Sequence, residues 1–387
     1  MRQKMGLLTT AISQFQSGQL SRRQLIERGT ALGLSAAGLT ALGRINPVAG
    51  QERYIRPSIR SVPARQGEPM RAALATAQKT GDMGPTDSIV RGMERGAADF
   101  NYETTIVEVI QGEYTETLRS LASSGTELII AAYPPMIDAV VEIAPQYPDQ
   151  YFALIVGETP QEIPNVMSFF ERASDASYLV GALAGLYTES NIVAATFPTR
   201  NPEMDRFISG YQQGAKATNE NITFLLNIIG GERPFEDPAT AKRLAMVHHD
   251  QGADVVFAAG GSSCLGVLEA AGESNGGFVA TGADPDQCLM DPDSILATVR
   301  IYWDNMTYLS MQAHREGTWA PGNYLYGIAE GGDDICTFDN SDPEGHLDPQ
   351  TGHTIGPDLS PEIREMIWNL RDQVIAGEIE IVHEVEE

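Results

Sequence analysis

Phe278-Val279-Ala280-Thr281-Gly282-Ala283-Asp284-Pro285-Asp286-Gln287 is an apolar run that ends in a glycine, two carboxylates and an amide. A second strand-like run, Ile295-Leu296-Ala297-Thr298-Val299-Arg300, follows it. Short apolar runs bounded by Gly, Asp and Pro read as buried strands. The polar group Gly-x-Asp-x-Asp-Gln then stands at the carboxyl edge of a sheet, which is where open α/β folds bind ligands. Asp284 is therefore a first candidate binding residue.

Outward from this stretch the same rhythm fills the chain. Ala72–Ala77, Thr104–Ile110, Leu128–Ala132 and Phe152–Val156 read as strands, with a helix beginning near Pro135. The series restarts after Glu171 with a helix, Ala176–Tyr187, that presents Leu179, Leu183 and Leu186 at helical spacing. Ile192–Phe197, Ile222–Ile229, Val255–Ala259 and Phe278–Thr281 follow as strands. Strands separated by helices predict parallel sheets built from crossovers. Two series in 387 residues predict an α/β chain of two lobes with a cleft between them, in preference to one large doubly wound sheet. The expected limits are 69–171 for the first lobe, completed by about 285–320, and 172–284 for the second, completed by 321–387. Pro361–Ala376 reads as a final amphipathic helix with Ile363, Met366, Ile367 and Leu370 on one face. The polar stretch 339–360 reads as a surface loop, because it lacks the regular acidic spacing of a calcium loop.

The formal charge of −26 excludes nucleic-acid polymers and anionic lipid as expected partners, since both demand clustered Lys and Arg. It describes a solvated acidic surface. The three cysteines, Cys264, Cys288 and Cys336, form no C-x-x-C pair and read as buried small side chains. Ser21-Arg22-Arg23-Gln24-Leu25-Ile26 precedes a modest apolar run, Gly29 to Leu42, too short and too rich in Gly, Ala and Ser for a membrane span. A paired arginine before such a run is the layout of a twin-arginine export signal, which assigns residues 1–50 to a leader and 51–68 to a flexible tether. The leader has no cysteine for lipid attachment.

Other strand ends supply further candidates. The first strand leads into Gly81-Asp82-Met83-Gly84-Pro85-Thr86-Asp87-Ser88, where glycines permit a tight turn and Asp82 can reach a ligand. Thr86 or Asp87 is expected to cap the following helix, and Asp87 is also a contact candidate. Tyr133, before Pro134-Pro135, is a candidate wall. Phe235, in a turn after Gly230-Gly231, can lie flat over a heterocycle. Gly260-Gly261-Ser262-Ser263 closes one strand and opens a helix, offering backbone N–H groups to a polar ligand edge. Asp284 and Arg300 have an alternative as a salt bridge joining two strands. The phosphate-binding patterns G-x-G-x-x-G and G-x-x-x-x-G-K-[ST] are absent, and so are G-x-S-x-G and H-E-x-x-H.

These blocks resemble the basic membrane protein family, solute receptors of ABC importers that include purine nucleoside receptors. Gly282 to Gln287 is similar to its "GVDSDQ", Tyr147 to Ala153 to "YPDVKFA", and Tyr178 to Gly185 to "YLAGVLAG". Gly210 to Ala215 is similar to "GFKAGA", Phe235 to Pro238 to "SFNDP", and Gln251 to Gly261 to "QGADVIFAAAGG". The resemblance covers about residues 70–330. It implies a two-lobed periplasmic-binding-protein type I fold, a small ligand, and a membrane permease with its ATPase as partners. It gives Asp284 and the Arg300 position to ribose hydroxyls and Phe235 to base stacking. The family's D-x-G-x-x-D-x-S-F-N pattern is matched at Asp82, Gly84 and Asp87, but Ile89 or Val90 stands near the place of its stacking aromatic. Tyr178 to Gly185 and Tyr211 read as packing residues.

The resulting expectation is a monomeric, exported, non-catalytic receptor without cofactor or metal that closes on a purine nucleoside. Riboflavin-like or sugar ligands are the alternatives within that class. A nucleoside hydrolase is the alternative outside it, and the missing Asp cluster after the first strand counts against it.

Overall fold

The computed structural model describes residues 68–81, 84–284, 287, 290–291, 293–335 and 359–382. The expected leader, the tether up to residue 67, Asp82, Cys288, Cys336 and the 339–358 part of the polar loop lie outside the described residues.

The chain begins with β1 (Met70–Thr76), α1 (Pro85–Phe100), β2 (Tyr102–Glu108), α2 (Tyr114–Ser123) and β3 (Leu128–Ala132). A 3-10 turn, Pro134–Met136, leads into α3 (Ile137–Ile143), then β4 (Tyr151–Ile155) and β5 (Val166–Glu171). Next come α4 (Ser174–Tyr187), β6 (Ile192–Phe197), α5 (Pro202–Thr218), β7 (Thr223–Ile228), α6 (Pro238–Asp250) and β8 (Val255–Ala258). They are followed by α7 (Cys264–Glu273), β9 (Val279–Asp284) and β10 (Ile295–Ile301). The last elements are α8 (Trp303–Glu316), β11 (Gly322–Tyr326), β12 (Asp333–Ile335) and α9 (Pro361–Ile375).

The chain forms two compact units, with crossings at 172/173, 300/301 and 332/333. In lobe 1 the six-stranded sheet has the order β11-β5-β4-β3-β1-β2. Every pairing in it is parallel, from Met70↔Tyr102 at one edge to Gly322↔Met167 at the other. β3 is Leu-Ile-Ile-Ala-Ala, buried at every position, as a central parallel strand covered on both faces must be. Leu118, Ile129, Val140, Ile143, Phe152 and Leu154 pack on one face of that sheet. On α1, Gly92 is where backbone meets backbone, because a Cβ there would run into the Asp304 carbonyl of α8.

Lobe 2 repeats the arrangement with the order β12-β10-β9-β8-β6-β7. Its helices α4 and α5 approach through four glycines. A Cβ on Gly181 or Gly214 would collide with the backbone of Tyr211 or Tyr178, and one on Gly185 or Gly210 with Ala215 or Ser174. The small-residue rows of Tyr178 to Gly185 and Gly210 to Ala215 are thus packing devices, and Tyr211 is fully buried with its ring stacked on Phe257 at 4.7 Å. The helix α9 buries Ile363, Met366, Ile367 and Leu370. Its Arg371 forks onto Asp334 of β12, Nε to Oδ1 at 2.9 Å and Nη2 to Oδ2 at 2.6 Å.

The lobe limits differ from expectation. β10 pairs with β9 in register, Arg300 opposite Asp284, so this strand belongs to lobe 2 and not to lobe 1. β11 pairs with β5 of lobe 1, so 301–332 return to lobe 1, and β12 and α9 complete lobe 2.

Candidate functional site

In each sheet the chain leaves the first strand in one direction and then resumes on its other side. The switch point lies between β1 and β3 in lobe 1, and between β6 and β8 in lobe 2. Crevices at the carboxyl ends of such strand pairs are the natural ligand positions of open α/β sheets.

At the lobe 2 switch point, Gly260 stands two residues past the end of β8, with a φ of 115° that only glycine adopts freely. Gly261 follows with φ 62°. Pro198, just after β6, and Phe235 close over this turn. A Cβ on Gly260 would collide with the Pro198 ring and lie 3.4 Å from Phe235 Cδ1, and one on Gly261 would lie 2.8 Å from Phe235 O. The loop is fastened from below. Ser263 N–H donates to Phe235 O at 3.2 Å, and Ser263 Oγ donates to Pro234 O and accepts from Asp237 N–H, both at 2.8 Å. Asp237 in turn accepts from Thr240 N–H at 2.9 Å and caps α6, and these hydrogen bonds hold its carboxyl below the usual range. Phe235 is half-buried. A ring held on a glycine turn beside a switch point is a ready stacking surface.

Asp284 ends β9, and its backbone stands in register with Arg300 at the end of β10. The Asp284 side chain lies outside the described residues, and Arg300 is half-buried. Gln287 folds back so closely over Gly282 that no Cβ fits there, and it is 4% exposed. Its amide therefore packs on the strand.

Lobe 1 places Tyr133 at the end of β3. Its hydroxyl lies 2.9 Å from Thr86 Oγ1 in the first turn of α1, and Tyr133 N–H donates to Ile155 O at 2.9 Å. Thr86 and Asp87 do not cap α1, whose N-cap position is Gly84 without a side-chain bond. Asp87 instead accepts the Gly81 N–H at 2.7 Å. Thr80 donates its N–H and hydroxyl to Glu108 at 2.8 and 2.6 Å, which lowers the Glu108 carboxyl pKa. Ile89 is fully buried, while Val90 beside it keeps some surface.

The structure thus groups Phe235, Gly260 and Gly261 in lobe 2, sets Asp284 beside Arg300 on adjoining strands there, and groups Tyr133, Thr86 and Asp87 in lobe 1. Pro198 and Val156 escaped sequence reasoning. Val156 follows β4 with φ 63°, a conformation unusual for a β-branched residue that no local sequence pattern announces. Pro198 was legible only as the residue that ends an apolar run. Cys264 is buried at the start of α7, and no group of His, Cys, Asp or Glu among the described residues is arranged to hold a metal ion. No helix of the described residues is long and apolar enough to cross a membrane.

Comparison with known proteins gives this architecture relatives. The "CD4+ T-cell-stimulating antigen" of Listeria monocytogenes is 31% identical over 176 residues, which cover 46% of this chain and 47% of the relative. The chain thus matches about half the length of that protein. The "Putative ABC transporter glucose-binding protein TsgA13" of Haloferax volcanii is 24% identical over 322 residues, 82% of this chain and 75% of that one. Among solved structures, an ABC transporter solute-binding protein from Aeropyrum pernix superposes with a TM-score of 0.67 at 22% identity, covering 82% of this chain and 94% of the other. That likeness gives the two sheets their fold, the periplasmic-binding-protein type I fold. The model of the PnrA-like ABC transporter substrate-binding proteins, Bmp, matches residues 70–343, and the chain belongs to that family.

Proposed function

We propose that this chain is the extracytoplasmic receptor of an ABC importer for a small heteroaromatic solute of the purine nucleoside kind. The observation that carries the reading is Phe235, seated over Gly260–Gly261 at the lobe 2 switch point. Stacking of a base on such a ring contributes roughly 1–3 kcal/mol. Asp284 and Arg300, in register on neighbouring strands, supply an acceptor and a forked donor for sugar hydroxyls. Membership of the Bmp family supports a small ligand handed to membrane-embedded ABC components. Export through the Arg22-Arg23 leader and a monomeric state belong to the same proposal.

A second reading, a sugar receptor, is favoured by one comparison and one position. The relative that bears the name "Putative ABC transporter glucose-binding protein TsgA13" aligns with 82% of this chain, and Ile89, near the place of the stacking aromatic in the family's first block, is an aliphatic side chain with no exposed surface. Calorimetric titration with inosine, guanosine, riboflavin and glucose separates the two. Tight binding of a nucleoside, one per chain and recovered unchanged by chromatography, supports the proposal. Binding of glucose alone replaces it with the sugar reading, and release of free base and ribose at turnover replaces it with a hydrolase.

A further inference from the structure

Tyr133 occupies a backbone conformation that belongs to glycine. Its φ is 83° and its ψ 155°, the region in which a Cβ clashes with the flanking peptide and which only glycine populates freely. The ψ value suits a residue before proline, and Pro134 follows, so the anomaly is confined to φ. Glycine here would remove the strain. A tyrosine persists, and its ring is not idle surface, because the residue is 4% exposed. The hydroxyl reaches Thr86 Oγ1 at 2.9 Å. Since Thr86 opens the helix that follows β1, the ring spans from the end of β3 to the start of α1. That span crosses the gap between the ends of β3 and β1, the switch point of lobe 1.

Both neighbours of the ring are held. Tyr133 N–H is fixed to Ile155 O, and Pro134-Pro135 form a 3-10 turn with Met136 N–H donating to Tyr133 O at 2.9 Å. On the other side the Gly81 turn is pinned by Asp87. A ring fastened at both ends cannot swing aside to admit a ligand without breaking the Thr86 bond.

We propose that Tyr133 is a specificity-determining plug: it fills the lobe 1 crevice and restricts this receptor to ligands short enough to stop against it. The inference rests on the receptor reading above. Selectivity built by blocking the larger competitor needs a bulky, immobile group in the crevice, and the strained backbone is what aims this one there. The plug excludes extended ring systems such as the three-ring flavin of riboflavin and passes a two-ring purine or a single sugar.

The test is a ratio of affinities, which a purely structural residue would not move. Wild type, Tyr133→Gly and Tyr133→Phe are titrated with inosine, riboflavin and glucose. Tyr133→Gly is expected to raise the affinity for riboflavin at least tenfold relative to the better of the other two. Tyr133→Phe keeps the filling volume and is expected to retain the wild-type ratio. Should the glycine variant fail to fold, Tyr133→Ser opens the same space at the native backbone geometry and carries the same expectation. An unchanged ratio in the glycine or serine variant, or the same change in Tyr133→Phe, overturns the plug. Wild-type preference for glucose overturns the nucleoside reading alone, because the riboflavin-to-glucose ratio still reports on Tyr133. Absence of binding to all three by every form overturns receptor and plug together.

Discussion

His314 is predicted to make lobe 1 acid-sensitive. Its Nδ1 lies 2.6 Å from the Tyr102 hydroxyl, and its ring packs 4.8 Å from Tyr151 and 6.4 Å from Trp319. Burial among these rings pushes its pKa down from 6.5 to about 4, while Glu127 raises it and Arg315 lowers it by smaller amounts. Burial also raises the Tyr102 pKa strongly, so that hydroxyl stays protonated. The folded state therefore holds His314 neutral where the unfolded chain takes up a proton. Stability from this residue is complete above pH 6.5, falls as pH drops from 6.5 towards 4, and is flat below. At pH 5 the deficit is 1.5 pH units at about 1.4 kcal/mol each, or about 2 kcal/mol, and partial exposure of the ring lowers this to about 1–2 kcal/mol. Many carboxylates titrate in the same range, so the measurement is a difference. Urea unfolding of wild type and His314→Leu is compared at pH 7 and pH 5 in a Trp368→Phe background. That background leaves Trp303 and Trp319, both in lobe 1, as the fluorophores. The variant should lose about 1–2 kcal/mol less than wild type between the two pH values. Equal losses, or a His314 proton resonance titrating at 6.5 or above, would refute the reasoning.

Arg371→Met strands Asp334, 7% exposed, and should cost lobe 2 about 3–5 kcal/mol by hydrogen exchange. Arg371→Met with Asp334→Leu should recover most of that loss, and failure to recover it would show that the pair does more than balance charge. Asp284→Ala should weaken nucleoside binding on the order of tenfold to a hundredfold, at an unchanged ligand-free melting temperature. A lowered melting temperature with intact affinity would instead make Asp284 the structural partner of Arg300. Replacing Arg22 and Arg23 by Lys should leave precursor in the cytoplasm, and normal export of that variant would remove the twin-arginine assignment.

The central strands were legible because a strand covered on both faces is apolar throughout. Of the strands read from the chain, Leu128–Ala132 and Ile192–Phe197 have the limits expected and the rest shift by a few residues, while the interior strand Val166–Glu171 went unread because Ser168 and Glu171 break its apolar run. One edge of each sheet was not legible. Gly322-Asn323-Tyr324-Leu325-Tyr326 is polar and half-buried, and Asp333-Asp334-Ile335 is too short to show a period, yet both are strands because a neighbouring edge accepts them. Missing these two misplaced the lobe limits after residue 284, since sheet membership depends on partners far away in sequence. The switch from cap to turn-pin at Asp87 failed for a local reason. Pro85 at the first helical position sets the helix start one residue after Gly84, too early for Thr86 or Asp87 to precede it.

The two switch points show why the site was only half legible. In each lobe the strand beside the switch must turn abruptly towards a helix, and the backbone meets that demand with a positive φ at the first residue or two past the strand. Lobe 2 uses glycine there, Gly260 with φ 115°, which sequence reading recognises at once. Lobe 1 makes the same demand on Tyr133, φ 83°, where no propensity would place it. The turn from β3 and from β8 into the following helix accounts for the positive φ in both. It does not account for the tyrosine, since glycine would satisfy the backbone without strain. What distinguishes the lobes is what lies over the turn. In lobe 2 the small residues leave room for an aromatic from a neighbouring loop, and Phe235 takes it. In lobe 1 the turn residue carries the aromatic itself and ties it to Thr86. Under the plug proposal, it is this bulky side chain at a glycine-favouring turn, tied across to Thr86, that sets how far a ligand reaches into the lobe 1 crevice.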